Sequence, residues 1–226
     1  MNKTLPDRIP LLPHAGFAAA MYTCPLIAIL RGLTPDHAAP IGRALYQAGF
    51  RAIEVPLNSP DPLQSIRTLR DTLPPEVMVG AGTVLLPSQV TDVADSGGTL
   101  IVMPHSDPTV IRAAKAAGLA CTPGVATPTE AFAALFNGAD ALKLFPADRL
   151  SPSTLRAWRT VIPSQMRIMP VGGVTPSSVR GFMEAGAGGF GLGGSLYRPG
   201  YQAEQVSENA NLFITCLEDV LATMAR

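Results

Sequence analysis

The chain is punctuated by segments that open with proline and close with glycine. Five of these segments span residues 35–49, 87–97, 108–118, 128–138 and 176–186, and the last four share a ten-residue step. Proline in the first turn and glycine just past the last turn are typical of a helix. The repeat therefore predicts a series of short helices of similar length.

Eight short apolar runs also recur along the chain. They span residues 26–30, 52–57, 77–84, 100–103, 119–123, 141–145, 168–174 and 189–196, and a helix candidate follows each of them. Near-continuous apolar runs of this length are typical of parallel strands buried on both faces. Eight alternating units in about 200 residues favour an α/β fold of the closed (β/α)8 TIM-barrel type over a doubly wound open sheet.

Further helices are expected at the two ends of the chain. Residues 1–24 precede the first predicted strand, and we expect an extra N-terminal helix around residues 14–22 that packs against the bottom of the barrel. A long final helix is expected over residues 202–224. Because no linker composition interrupts the pattern, residues 1–226 are expected to form a single domain.

The composition excludes several classes of function. Seventeen basic residues balance seventeen acidic ones, so nothing indicates nucleic acid or membrane as a partner. Cys24, Cys121 and Cys216 are far apart and form no CxxC pair, which argues against disulfides and structural zinc. The histidines are scattered too, and the N-terminus is a poor signal peptide. We expect a cytoplasmic protein without metal or cofactor.

Lys143 is the most unusual residue of the predicted barrel. It lies inside the apolar run Ala-Leu-Lys-Leu-Phe-Pro, where alternation directs Leu142 and Leu144 to the helices and Lys143 into the barrel. A lysine buried there is costly unless it is paired or functional. Burial lowers the pKa of an amine and leaves more of the neutral form, which attacks carbonyl carbons. A structural lysine paired with a buried acid is the alternative.

Glu54 is the matching acidic residue in the second strand. It lies in Ala-Ile-Glu-Val-Pro-Leu, and the same alternation directs it inward. A desolvated carboxyl near an amine can transfer protons during imine chemistry. The alternative is a buried Glu54–Lys143 ion pair without a catalytic role.

Two further polar residues come at the ends of strands. Arg31 ends the first strand and could hold a carboxylate with its guanidinium fork, or it could be a surface arginine without a ligand. Thr83 ends the third strand in Gly-Ala-Gly-Thr-Val, where it could contact substrate or serve packing alone. Active sites of this fold lie at these carboxyl-terminal strand ends.

Glycine clusters end the last two predicted strands. Gly172 and Gly173 follow the seventh, and Gly193, Gly194 and Ser195 follow the eighth. Loops at these two positions frequently bind phosphate through backbone N–H groups in TIM barrels. The pair of clusters therefore predicts a phosphate site, unless the glycines only relieve crowding in the barrel wall.

Seven motifs together resemble those of the 2-keto-3-deoxy-6-phosphogluconate and 6-phosphogalactonate aldolases, in register from Leu26 to Tyr197. They are Pro-Leu-Ile-Ala-Ile-Leu-Arg-Gly (25–32), Ile-Glu-Val-Pro-Leu-Asn-Ser-Pro (53–60), Val-Gly-Ala-Gly-Thr-Val-Leu (79–85), Thr-Pro-Gly (122–124), Leu-Lys-Leu-Phe-Pro-Ala (142–147), Pro-Val-Gly-Gly-Val-Thr-Pro (170–176) and Gly-Leu-Gly-Gly-Ser-Leu-Tyr (191–197).

The resemblance implies a metal-free homotrimeric barrel that reversibly cleaves a phosphorylated 2-keto acid to pyruvate and glyceraldehyde 3-phosphate. It implies that Lys143 forms the Schiff base and that Glu54 is the general acid/base. Thr83 and Arg31 would contact the pyruvyl end of the substrate. The glycines that follow the last two strands, together with Ser195, would hold the phosphate.

The resemblance is stronger to the galactonate branch. Val171 precedes the glycine pair where the gluconate branch usually carries threonine, and valine cannot hydrogen-bond the C4 hydroxyl of one epimer. Two features depart from this branch or from the family: Gly194-Ser195 is gluconate-like, and His105 in Met-Pro-His suggests an adjusted specificity. The alternatives are an aldolase for the gluconate epimer, a bifunctional aldolase, a phosphosugar isomerase and a non-catalytic phosphosugar sensor.

Overall fold

The computed structural model describes residues 13–224, which form nine helices and nine strands. The strands are β1 (Leu26–Ile29), β2 (Ala52–Pro56), β3 (Met78–Gly82), β4 (Leu100–Val102), β5 (Ala120–Thr122), β6 (Gly124–Val125), β7 (Leu142–Leu144), β8 (Ile168–Pro170) and β9 (Phe190–Leu192). The helices are α1 (Ala15–Thr23), α2 (Pro35–Gln47), α3 (Pro62–Thr72), α4 (Pro87–Asp95), α5 (Pro108–Ala116), α6 (Pro128–Phe136), α7 (Pro152–Trp158), α8 (Pro176–Glu184) and α9 (Ala203–Met224).

All strand pairs are parallel, and the strands form a ring. One sheet has the order β5-β4-β3-β2-β1-β9 and the other has the order β6-β7-β8. Pro123 alone separates β5 from β6, and a parallel bridge between Val171 and Gly191 joins β8 to β9. The predicted TIM-barrel fold is therefore confirmed, and the doubly wound sheet is excluded.

The fifth strand differs from the prediction. The sequence indicates one run over residues 119–123, but two short strands flank Pro123. Proline has no N–H to donate to a neighbouring strand. Its carbonyl still accepts from the N–H of Lys143 at 2.9 Å. Hydrogen bonding to β7 therefore continues at Pro123 through the carbonyl group.

Proline and glycine mark the helix ends as predicted. Each helix from α2 to α8 has proline in its first turn, including α3 and α7, which lie outside the five predicted segments. Glycines 49, 97, 118, 138 and 186 all have positive φ just past a helix end. Helix α3 ends without glycine, because Pro74 and Pro75 follow it and cannot continue the helix.

The N-terminal helix closes the amino end of the barrel. Phe17, Ala20 and Met21 of α1 are buried against inward-facing residues at the amino ends of the strands, such as Met78 and Met169. This packing confirms the expected extra helix, which spans Ala15–Thr23. Residues 1–12 of the expected N-terminal extension lie outside the described residues. No helix within residues 13–224 is both long enough and apolar enough to cross a membrane.

A buried aspartate anchors this helix to the strands. Asp140 is 4 % exposed and accepts hydrogen bonds from the backbone N–H of His14 at 2.6 Å and of Cys121 at 2.7 Å. The Lys115 ammonium completes the cluster at 2.6 Å. A carboxylate that is buried with three donors is well compensated for its lost hydration.

Asp140→Ala is expected to lower the free energy of unfolding by about 2–4 kcal/mol, because the N–H of Cys121 and the Lys115 ammonium lose their buried acceptor. Urea denaturation measures the loss. Asp92→Ala, which removes an exposed carboxylate on α4, is the matched control and is expected to leave stability unchanged. An Asp140→Ala variant as stable as the parent would show that these contacts do not hold α1.

Candidate active site

A cleft of about 790 Å³ opens at the carboxyl-terminal end of the barrel strands. Nine of the ten predicted site residues line it, namely Arg31, Thr83, Lys143, Val171, Gly172, Gly173, Gly193, Gly194 and Ser195. The tenth residue, Glu54, is 1 % exposed and is not part of the cleft wall. The fold therefore brings together residues that are spread over nearly three quarters of the sequence.

The Lys143 side chain projects into the barrel. Leu142 and Leu144 pack outward in the core between strands and helices, while Lys143 is 7 % exposed and its Nζ lies 4.8 Å from the centroid of the Phe145 ring. Burial lowers the pKa of Lys143, the negative charge of Glu54 opposes this, and the positive charge of Arg31 reinforces it. A larger share of neutral, nucleophilic amine results.

Glu54 is the acidic counterpart of Lys143. Burial raises the pKa of Glu54 from 4.5 to about 7, against the opposing charges of Lys143 and Arg31. Its Oε2 atom is buried and has no hydrogen-bond partner among the described residues. Within residues 13–224 it forms no salt bridge with Lys143, which disfavours a purely structural ion pair. A carboxyl of this kind can both give and take a proton near neutral pH.

Gly82 makes room for this carboxyl. A Cβ built on Gly82 would lie 1.9 Å from Glu54 Oε2. No side chain fits there while the carboxyl keeps its place. Gly82 of β3 therefore provides the space in which the fold holds the Glu54 carboxyl inside the barrel.

Arg31 follows β1 at the rim of the cleft. Its Nη1 donates to Asn58 Oδ1 at 2.7 Å, and the next N–H, of Gly32, donates to Ser59 Oγ at 2.9 Å. The guanidinium is exposed and keeps its remaining N–H groups available, as recognition of a carboxylate requires.

Thr83 has an unusual backbone conformation. Its φ of 57° lies in the left-handed region, which β-branched residues rarely adopt. Such a conformation costs on the order of 1–3 kcal/mol and persists only where the surrounding structure fixes it. The Thr83 residue lines the cleft, so the strain occurs where its hydroxyl is available to a ligand.

The two glycine clusters differ in their backbone conformation and in the space beside them. Gly172 and Gly173 have φ of 95° and 70°, so the backbone itself demands glycine there. A Cβ at Gly193 or Gly194 would meet no atom within 4 Å. Crowding in the barrel wall therefore does not explain Gly193 and Gly194, and the open space beside them can receive a ligand.

The turn after β9 offers free backbone donors. The N–H groups of Leu196 and Tyr197 both donate to Gly193 O, at 2.8 and 2.9 Å, while those of Gly194 and Ser195 have no backbone acceptor within the described part of the chain. The Ser195 hydroxyl donates to Val174 O at 2.7 Å and ties this turn to the loop after β8. Free N–H groups in such a turn suit a phosphate.

Val171 faces the cleft, but His105 does not. A Cβ on Gly191 would lie 2.7 Å from Val171 Cγ2, so Gly191 allows the valine its inward position. Pro104, rather than His105, lines the cleft. The backbone carbonyl of His105 accepts from the N–H of Gly124 at 3.1 Å, and its buried Nδ1 has no partner among residues 13–224.

Two charged or amide side chains of the cleft escaped the sequence reasoning. They are Asn58, which follows β2, and Arg198, which follows β9. Arg198 Nε donates to Gly194 O at 2.9 Å, which places a cation beside the predicted phosphate turn. Both polar residues lie in loops, where no periodic pattern indicates the direction of a side chain.

No three side chains of the types His, Cys, Asp and Glu converge on a metal position within residues 13–224. The polar groups of the cleft include an amine, two guanidinium groups, an amide, several hydroxyls and backbone N–H groups, with a carboxyl buried nearby. This set can form an imine, transfer protons beside it and hold anionic groups.

Barrel and site together define a TIM-barrel enzyme equipped for lysine chemistry on an anionic carbonyl compound. The chain belongs to the KDPG and KHG aldolase family, whose family model matches residues 18–210.

Two relatives and one solved structure are similar to this chain over most of their length. The probable 2-dehydro-3-deoxy-6-phosphogalactonate aldolase of Rhizobium meliloti (strain 1021) is 48% identical over 204 residues, which cover 90% of this chain and 92% of the relative. The 2-dehydro-3-deoxy-6-phosphogalactonate aldolase of Escherichia coli (strain K12) is 45% identical over 197 residues, which cover 87% and 96%. A solved structure described as native KDPGal is similar with a TM-score of 0.86 and 44% identity, over 88% of this chain and 96% of that one.

The raised pKa of Glu54 predicts a pH-dependent stability difference. Between 4.5 and about 7 the folded protein holds a proton that the unfolded chain has released, so Glu54 makes stability fall as pH rises through this window. Glu54→Gln cannot ionise and is expected to gain stability over the parent from pH 5 to pH 8, by up to about 3 kcal/mol.

Urea denaturation at both pH values measures this difference. Glu184→Gln, which removes a carboxylate exposed on α8, is the control for the loss of one negative charge. An equal difference between Glu54→Gln and parent at pH 5 and pH 8 would contradict the raised pKa.

Proposed function

We propose that the chain is a class I aldolase that cleaves 2-dehydro-3-deoxy-6-phosphogalactonate to pyruvate and glyceraldehyde 3-phosphate through a Schiff base on Lys143. The observation that carries the proposal is the buried Lys143 amine, which faces the cleft with a lowered pKa and has Glu54 as its acidic neighbour. The names of the two relatives described above support the substrate.

The first half of the reaction forms the imine. The neutral Lys143 amine attacks the C2 ketone of the substrate and gives a carbinolamine. Protonated Glu54 donates to the carbinolamine hydroxyl, which leaves as water and yields a protonated imine. A pKa of about 7 gives Glu54 the proton for this step at neutral pH.

The second half breaks the carbon–carbon bond. Removal of the proton from the C4 hydroxyl by ionised Glu54 turns C4 into an aldehyde, and the electron pair of the C3–C4 bond moves to C3 and on to the imine nitrogen. The products at this stage are glyceraldehyde 3-phosphate and an enamine on Lys143. Protonation at C3 followed by hydrolysis releases pyruvate and restores the amine.

The cleft distributes the other groups of the substrate along its walls. Arg31 binds the carboxylate with its guanidinium, and Thr83 contacts the pyruvyl end from its strained position. The phosphate lies against Gly172, Gly173, Gly193, Gly194 and Ser195. Open space adjoins Gly193 and Gly194, and the N–H groups of Gly194 and Ser195 have no backbone acceptor among the described residues.

The assembly and the extent of the domain complete the proposal. We propose a homotrimer of this barrel, in which residues 1–226 form one domain. The support for the trimer is the family resemblance, and the support for a single domain is the uninterrupted ring of strands between the two terminal helices α1 and α9.

Borohydride trapping tests the mechanism. Incubation with pyruvate and borohydride is expected to add one reduced pyruvyl group, which intact mass and peptide mapping place on Lys143. Lys143→Arg abolishes the adduct, because a guanidinium is not nucleophilic at neutral pH, whereas the matched change Lys115→Arg retains it. A folded parent protein without adduct would refute the Schiff-base mechanism.

Comparison of the two C4 epimers tests the substrate. We expect a higher kcat/KM for the phosphogalactonate compound, because Val171 offers no hydroxyl to the other epimer. Val171→Thr is expected to shift the ratio toward the phosphogluconate compound by about tenfold, the equivalent of one hydrogen bond. Equal kcat/KM values of the parent enzyme for both epimers would instead establish a bifunctional aldolase.

A further inference from the structure

The backbone around Arg31 is held from several sides. The N–H of Leu30 donates to Glu54 O at 2.9 Å, and the N–H of Gly32 donates to Ser59 Oγ at 2.9 Å. On another side, Gly32 lies so close to Pro199 that an added Cβ would be 2.6 Å from its Cγ. The Arg31 Cα is therefore fixed relative to the cleft, whatever its side chain does.

The side chain of Arg31 makes a single hydrogen bond among the described residues. Its guanidinium is exposed, and Nη1 donates to the Asn58 amide at 2.7 Å. An exposed arginine side chain has several rotatable bonds, and its ordering costs entropy at the moment a ligand binds. A partner that orders it beforehand improves binding of that ligand.

We propose that Asn58 is a positioning residue, which preorients the Arg31 guanidinium for the carboxylate of the 2-keto acid. The proposal rests on the proposed function, in which Arg31 binds that carboxylate. Asn58 lies in the turn that follows β2, four residues beyond Glu54, so this strand and its turn supply both the proton-transfer group and the support of the anion-binding group.

The choice of an amide has a chemical reason. Both an amide and a carboxylate oxygen would accept from Nη1, but a carboxylate would cancel the charge of Arg31 and compete with the substrate for the guanidinium. The positive charge also acts on Lys143, where it helps to lower the amine pKa. An amide orients the guanidinium and leaves its charge for the substrate and the amine.

Three variants separate orientation from charge. Asn58→Ala removes the restraint and is expected to raise the pyruvate concentration for half-maximal borohydride trapping by about 3–10-fold, the equivalent of one exposed hydrogen bond. Asn58→Asp retains an acceptor for Nη1 but neutralises the charge of Arg31. The pyruvate concentration for half-maximal trapping is expected to rise further in this variant than in Asn58→Ala. Asn137→Ala is the matched control, because Asn137 Oδ1 accepts from Arg112 Nη1 at 2.6 Å in an exposed pair outside the cleft.

Two further readouts distinguish positioning from a general structural effect. Pyruvamide, which has the same ketone but no carboxylate, is expected to be trapped by Asn58→Ala and by the parent with equal concentration dependence. In an Arg31→Ala background, Asn58→Ala is expected to have no further effect on pyruvate trapping, since the group that it positions is gone.

The outcomes are distinct. A parent protein that forms the Lys143 adduct, with Asn58→Ala indistinguishable from it, overturns the role of Asn58 and leaves the proposed function intact. If Asn58→Ala weakens trapping of pyruvate and pyruvamide equally, positioning through Arg31 is overturned. The same holds if Asn58→Ala further weakens pyruvate trapping in the Arg31→Ala background. A parent that forms no adduct overturns the proposed function and this inference with it.

Discussion

The structure depends on the burial of an amine and a carboxyl inside one ring of strands. Lys143 and Glu54 each lose hydration there, and burial moves the two pKa values toward each other. Glu54 is therefore partly protonated near neutral pH, and a larger share of the Lys143 amine is neutral. These are the forms that the proposed proton donor and the proposed nucleophile require. The β-strands, rather than the loops, carry both groups, which gives them the most rigid support that the fold offers.

The remainder of the cleft carries groups that suit the two anionic ends of the proposed substrate. Open space and free N–H groups after β9 suit the phosphate of the proposed substrate, and the Arg31 guanidinium suits its carboxylate. The amino end of the barrel is closed by α1, which Asp140 attaches to the strands. Residues that secure the fold and residues that we propose to contact the substrate therefore lie at opposite ends of the same barrel, as is usual for this architecture.

Sequence patterns predicted the barrel because its helices carry proline and glycine at their ends and its strands are continuously apolar. Alternation along two strands was enough to place Lys143 and Glu54 inside. The interruption at Pro123 was missed, because a proline in an apolar run is compatible with the end of a strand as well as with a break within one. Asn58 and Arg198 were also missed, since loop geometry depends on contacts such as that between Gly32 and Ser59, 27 residues apart in sequence.

The contact between Gly82 and Glu54 also restricts how this site can change during evolution. A Cβ at position 82 would overlap the Glu54 carboxyl, so no single substitution at 82 leaves that carboxyl in place. A side chain at 82 therefore requires the Glu54 carboxyl to move aside, away from the place where the proposed proton transfer needs it. The two positions form an epistatic pair, because the effect of a substitution at 82 depends on which side chain stands at 54. Glycine at 82 is thus favoured in any lineage that keeps the carboxyl in its present place.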